Sequence, residues 1–239
     1  MEGFLALGFL IGMQHALEAD HLAAVGAMAA GGKGTKRRLA LRGAVWGLGH
    51  TLTLFAICAA AIVLGFTLTD RWAAALEFGV GVMLVLLGLD VLWRLYSKRI
   101  HFHLHSHDGG TQHLHAHSHL GAARPHEDDP HQHQHPQGFP LRALAIGLVH
   151  GAAGSAGLLA LAVAATQDAL TALAYVGLFG LGSILGMALL SYAASWPLKA
   201  AERHARWVHK GFSLGAALLA LVLGLQVMSD TGALAWGLG

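Results

Sequence analysis

The segment His15-Ala16-Leu17-Glu18-Ala19-Asp20-His21 sets four ionisable or metal-ligating side chains inside an otherwise apolar stretch. A charge carried to membrane depth costs about 3 kcal/mol on insertion scales, so such a segment implies a partner or a purpose. Imidazole nitrogen combined with carboxylate oxygen suits borderline divalent metals such as nickel, cobalt, zinc and iron, and suits calcium or magnesium poorly. Two further histidines lie in uncharged apolar runs: His50 in Gly49-His50-Thr51, and His150 in His150-Gly151-Ala152-Ala153-Gly154-Ser155. A lone histidine in a helix is usually a hydrogen-bonded core residue, but two of them beside a histidine–carboxylate segment become candidate ligands. The candidate metal set is therefore His15, Glu18, Asp20, His21, His50 and His150. The competing reading ends the first helix early and leaves the motif at the membrane surface. The uncharged run from Leu22 to Ala30 argues against that.

Helix geometry limits how these donors can work. At 100° per residue, His15, Glu18 and His21 form one stripe and Asp20 points elsewhere. His15 and His21 are about 9 Å apart along a straight axis, too far to share one ion at metal–nitrogen bonds of about 2.0–2.1 Å. Either the helix is broken at the motif, or ions step between adjacent sites, or other helices complete the shell. Distortion of the helix, with help from His50 and His150, is the expectation. Glu77 and Asp90 are weaker candidates, since Asp90 can pair with Arg94 one turn away. Thr51, Ser155 and Ser183 are small hydroxyls of the kind common at helix contacts, and His204 and His209 sit among basic residues.

The elements that must position these groups are membrane helices. The chain has 239 residues, 55% hydrophobic and only 12% charged, with 32 glycines and a mean hydropathy of +0.54. A soluble domain carries about a quarter charged residues. A spanning helix needs about 20 mostly apolar residues, and six segments qualify: 4–29, 43–68, 72–95, 141–164, 171–196 and 211–228. The first is expected to be retained rather than cleaved, because it lacks a basic leader and a small-residue cleavage site. The fold class is thus all-α, a polytopic bundle of six transmembrane helices. It is organised as 1–96 (three helices), 97–140 (a His-rich loop) and 141–239 (three helices). The single cysteine, Cys58, excludes a disulfide framework, a thiolate cluster and an intramolecular dithiol pair.

Fourteen of the fifteen Lys and Arg residues fall in alternate loops, on one side. The positive-inside rule makes that side cytoplasmic, with both termini outside in the plasma (inner) membrane. The loop from Ser97 to Phe139 carries 12 of the 18 histidines, mostly as His-x-His. It has too little apolar content to pack a core and is expected to be disordered. Its histidines can capture or buffer metal ions, but an unfolded loop cannot preorganise a selective site. A weak repeat matches Gly12-Met13-Gln14-His15 to Gly147-Leu148-Val149-His150, and Gly47-Leu48-Gly49-His50 to Gly180-Leu181-Gly182-Ser183. Three helices per half would make a 3+3 inverted repeat, a plan that sets the site at the repeat interface. Gly-x-x-x-Gly spacings at 8/12, 43/47, 147/151, 182/186 and 211/215 read as tight helix contacts.

The segment Gly12-Met13-Gln14-His15-Ala16-Leu17-Glu18-Ala19-Asp20-His21-Leu22 resembles the His-four-residues-Asp-His signature of the NiCoT and NicO nickel/cobalt permeases. Leu48-Gly49-His50-Thr51 resembles a second motif of that family. The segment from Gly147 to Ser155 is similar to its short, six-helix, urease-linked members. The resemblance implies that His15, Asp20 and His21 form the core of metal recognition, with His50 and His150 supporting. One departure is Glu18, where eight-helix members commonly have Asp.

The function expected from these readings is transport of divalent transition-metal ions, most of all nickel or cobalt, with uptake favoured over efflux. The partners are the ion as substrate and the lipid bilayer; a homo-oligomer and a cytoplasmic metallochaperone are compatible, and no nucleic acid is expected. No resident cofactor is implied, and no nucleophile–base pairing marks an enzyme. No Gly-x-x-x-x-Gly-Lys-Ser/Thr loop is present, so energy comes from a gradient or a partner. The alternatives are a zinc transporter of another family and a non-transporting membrane metal chaperone or sensor.

Overall fold

A computed structural model describes residues 2–30, 35–65, 69–97, 101–106, 112–117, 140–153, 168–204 and 206–237. Among them are seven helices: α1 (Glu2–His15), α2 (Ala19–Ala30), α3 (Lys36–Leu64), α4 (Asp70–Ser97), α5 (Leu141–Ala153), α6 (Ala169–His204) and α7 (Arg206–Ala235). Four of these, α3, α4, α6 and α7, are long and apolar enough to cross a membrane. They coincide with the second, third, fifth and sixth expected spans. The first expected span is not one helix. It stops at His15 and restarts at Ala19, with α1 and α2 in tandem. The fourth is represented by α5, and its second half lies outside the described residues.

Helix ends follow local chemistry. Thr35 caps α3, its hydroxyl accepting from the Arg38 amide, and Gly65 closes that helix at φ 67°, a left-handed conformation that glycine adopts without penalty. At the start of α6 the Asp168 carboxylate accepts from both the amide and the hydroxyl of Thr171. Those bonds hold its carboxyl below the usual carboxylate range.

The helices pack by glycine. In α1, a Cβ on Gly12 would strike the Phe179 backbone of α6, and in return one on Gly182 would strike the carbonyl of Phe9. In α5, a Cβ on Gly147 would strike the Trp46 carbonyl of α3, and one on Gly151 the His50 carbonyl. So α1 lies on α6 and α5 lies on α3, while α3 and α6 pack together through Gly43, Gly47 and Gly180. Helices α4 and α7 form another close pair through Gly81, Gly88 and Gly224. Four of the five Gly-x-x-x-Gly pairs are contacts of this kind. The fifth is not, since a Cβ on Gly211 or Gly215 would meet nothing within 4 Å.

Two apolar clusters fill the interior. One gathers Ala16, Ala23, Val25, Trp46, Leu84, Ile146 and Met187; the other gathers Leu54, Cys58, Tyr175, Val176 and Phe179. Asp90 is the ion-pair residue that its spacing implied. It accepts from Arg94 at 3.0 Å on its own helix and from Arg142 of α5 at 2.7 Å. The three side chains are partly exposed, so Asp90→Ala is expected to lower stability by about 1 kcal/mol at most, read as a small shift in thermal unfolding in detergent.

Within the segment expected to be disordered, the chain forms strands β1 (His101–Ser106) and β2 (Gln112–His117). They pair antiparallel, with His101 opposite His117, His103 opposite His115 and His105 opposite His113. The strict His-x-His alternation has the period of a strand, which outweighs the low apolar content here. The rest of the segment lies outside the described residues.

Candidate metal centre

The gap between α1 and α2 falls on the motif. After His15 the chain makes a tight turn, with the amides of Leu17 and Glu18 bonded to the carbonyls of Gln14 and His15, before α2 resumes. The turn brings the His15 and His21 rings to 4.4 Å between centroids, although a straight helix would hold them about 9 Å apart. It also rotates Asp20. On an unbroken helix Asp20 points away from its neighbours, but here it bonds to His21 and to His150 of α5. All six expected residues converge, with His50 of α3 against His15 at 3.3 Å between their Nε2 atoms. Glu77 is exposed on α4 and belongs to neither donor set. Ser155 lies outside the described residues, as do the side chains of His204 and His209.

Carboxylates orient the imidazoles. Glu18 faces His15 Nδ1 at 2.7 Å, and the two oxygens of Asp20 face His21 Nδ1 at 2.8 Å and His150 Nε2 at 2.9 Å. Carboxylates only accept, so each of these ring nitrogens carries the proton. The opposite nitrogens then present lone pairs: His15 Nε2, His21 Nε2 and His150 Nδ1. This is how metal-binding histidines are commonly held. Among the described residues His21 Nε2, His50 Nδ1 and His150 Nδ1 are buried with no hydrogen-bond partner. Orphaned buried polar atoms are costly, and these three have the donor chemistry that a borderline divalent cation would satisfy.

The donors form two sets: His15, His21 and His50, and Asp20, His21 and His150. Within each set the ligand atoms lie within 4.8 Å of one another. Donors on a single ion sit roughly 3 Å apart at these bond lengths, so an ion held by either set would draw its donors inward. His21 belongs to both sets. Burial is graded: the side chain of Glu18 is 57% exposed and that of Asp20 31%, while His21 is at 1% and His150 at 2%. The hydroxyl of Thr51 donates to the Gly180 carbonyl and that of Ser183 to Gly12. Both tie helices together rather than joining the donor sets.

Two aromatic residues bracket the cluster. Phe179 lies 5.2 Å from the His15 ring, and Trp46 lies 5.4 Å from His21 and 5.7 Å from His150. Neither stands out in the sequence. The available signal for Trp46 was its place one turn before His50 on the same face of α3.

Fold and site together define a helix-bundle membrane protein whose interior holds a cluster of four histidines steadied by carboxylates. The chain is 32% identical to the urease accessory protein UreH of Bacillus sp. (strain TB-90) over 229 residues, covering 95% of this chain and 91% of that protein. It belongs to the family of that protein. No family model matches the chain, and no solved structure matches it.

Proposed function

We propose that this chain is a secondary transporter that carries nickel or cobalt ions across the plasma membrane, toward the cytoplasm. The observation that carries the reading is the set of buried, partnerless imidazole nitrogens at the break between α1 and α2. Interrupted membrane helices with non-helical backbone near mid-depth are a recurrent way to build an ion site. The name of the relative supports nickel, since urease is a nickel enzyme, and uptake fits that need better than efflux. The resemblance to the NiCoT and NicO permeases supports the same substrate.

In this reading α1 and α2 form one interrupted span, α5 opens the fourth, and six spans place both termini outside. The reciprocal packing of α1 on α6 and of α5 on α3 supports an inverted 3+3 repeat. The most exposed side chain of the cluster, that of Glu18, marks the entrance of the path. An ion meets the exposed Glu18 carboxylate and exchanges water for His15 and His50. It then passes to Asp20 and His150 while His21 stays bound throughout.

Flux into proteoliposomes tests this. Wild type should accumulate nickel or cobalt down an imposed gradient, and competition with zinc separates the zinc-transporter reading. Removal of residues 97–139 should leave flux in place. If that deletion abolishes flux while metal binding at the loop is the only binding detected, the chain is a chaperone or sensor instead.

A further inference from the structure

One large side chain lies against two of the cluster's imidazoles. Trp46 is 0% exposed and packs on both His21 and His150. Its indole nitrogen has no hydrogen-bond partner among the described residues. Beyond it, toward the end of the bundle that carries Lys36 and Arg142, lies a small cavity lined by Val25, Met28, Leu39, Arg42, Gly43 and Ser191, among others. Val25 and Met28 continue α2 and Leu39, Arg42 and Gly43 continue α3, while Ser191 comes from α6. Along α3, Leu39, Gly43, Trp46 and His50 are all buried and spaced at helical intervals. The cavity measures about 10 Å³, the threshold for one water molecule, so no hydrated ion fits.

We propose that Trp46 is the inner gate of the transport path and that this cavity is the closed inner half of that path. The inference rests on the transport reading. Burying an indole N–H without a partner is unfavourable, and swinging toward the cavity would let water satisfy it. The closed position is therefore held by packing on the two imidazoles rather than by a hydrogen bond. An ion that draws His21 and His150 together removes the surface on which the indole rests. Metal binding at the second donor set and opening of the inner side are coupled through those contacts. Ser191 lies across the cavity, its side chain against Gly43, and serves as a reporter position.

The test uses the full chain with Cys58→Ala, so that Ser191→Cys is the one thiol, in vesicles with the basic end facing the added reagent. A charged, membrane-impermeant methanethiosulfonate should label that thiol slowly. Adding Trp46→Ala should speed labelling by at least about tenfold, as a shifted closed–open equilibrium would, while nickel affinity measured by calorimetry in detergent holds or rises, because an ion coupled to opening binds better once the open state is populated. Trp46→Phe keeps a ring on the two imidazoles and should keep labelling slow. An unchanged labelling rate in Trp46→Ala would overturn the gate, and so would loss of nickel binding as complete as in His21→Ala, which would make Trp46 a wall of the binding pocket. Should Trp46→Ala fail to fold, the Ser191→Cys chain with native Trp46 is labelled with and without nickel. Acceleration by nickel supports the gate, and an unchanged rate rejects it. Flux that survives His21→Ala would sink the transport reading itself; a negative labelling result with His21-dependent flux intact would sink only the gate.

Discussion

His21→Ala should reduce nickel flux in proteoliposomes to that of empty vesicles and weaken nickel binding by more than about 100-fold, because losing even an outer partner of a metal-binding histidine costs about 10–100-fold. His21 is the one residue common to both donor sets, so its removal leaves each with two donors. His15→Ala and His150→Ala each dismantle a single set and should be milder. Asp20→Asn preserves size, but an amide offers one accepting oxygen where the carboxylate offers two. It can orient His21 or His150 but not both, and because Asp20 also belongs to the second donor set, binding should fall by at least the about 10–100-fold of an outer partner. Glu77→Gln, outside both sets, should transport as wild type. Wild-type flux in His21→Ala would remove the site.

The second large effect concerns spacing rather than ligands. Gly147→Ala and Gly151→Ala would each drive a Cβ into α3 backbone, at the Trp46 and His50 carbonyls. Backbone cannot yield as a flexible side chain does, so each substitution should destabilise by about 1–3 kcal/mol through overpacking. Each should also separate His150 from the donors on α2 and α3, weakening metal binding without touching a ligand. Gly211→Ala and Gly215→Ala have open space around them and replace glycine with a residue about 1 kcal/mol more favourable in a helix. They should leave thermal unfolding unchanged or raise it. Equal behaviour of the two pairs in detergent melts would show that α5 is not seated on α3 as described.

The clustered side chains were legible in the sequence as candidates because they are expensive in hydrocarbon. His15, Glu18, Asp20 and His21 interrupt a long apolar run, and His50 and His150 stand alone in theirs. The straight-helix calculation also showed that His15 and His21 could not share one ion, which left a break as one of three outcomes. Where the helix stops was not legible: Ala16-Leu17-Glu18 has no proline or glycine and reads as good helix. The interruption is stabilised by contacts distant in sequence, with α6 against Ala16 and α5 bonded to Asp20. The new direction of Asp20 follows from the break and was hidden with it. Trp46 and Phe179 were missed for a different reason, since a buried aromatic in an apolar helix carries no mark of what it packs against. In the His-rich loop the composition spoke for disorder, yet the alternation at 101–106 and 112–117 carried the strand period.

The seating of α1 on α6 has a consequence for how the protein is made. Gly12 meets its partner, the Ser183 hydroxyl, across 171 positions of sequence. Asp20 likewise meets its partner on another helix, His150 of α5, across 130 positions. Until α5 and α6 are made, this charged segment is a poor resident of lipid, and it depends on the insertion machinery or on the headgroup layer. The four-histidine cluster is thus complete only once segments far apart in the sequence have all been made.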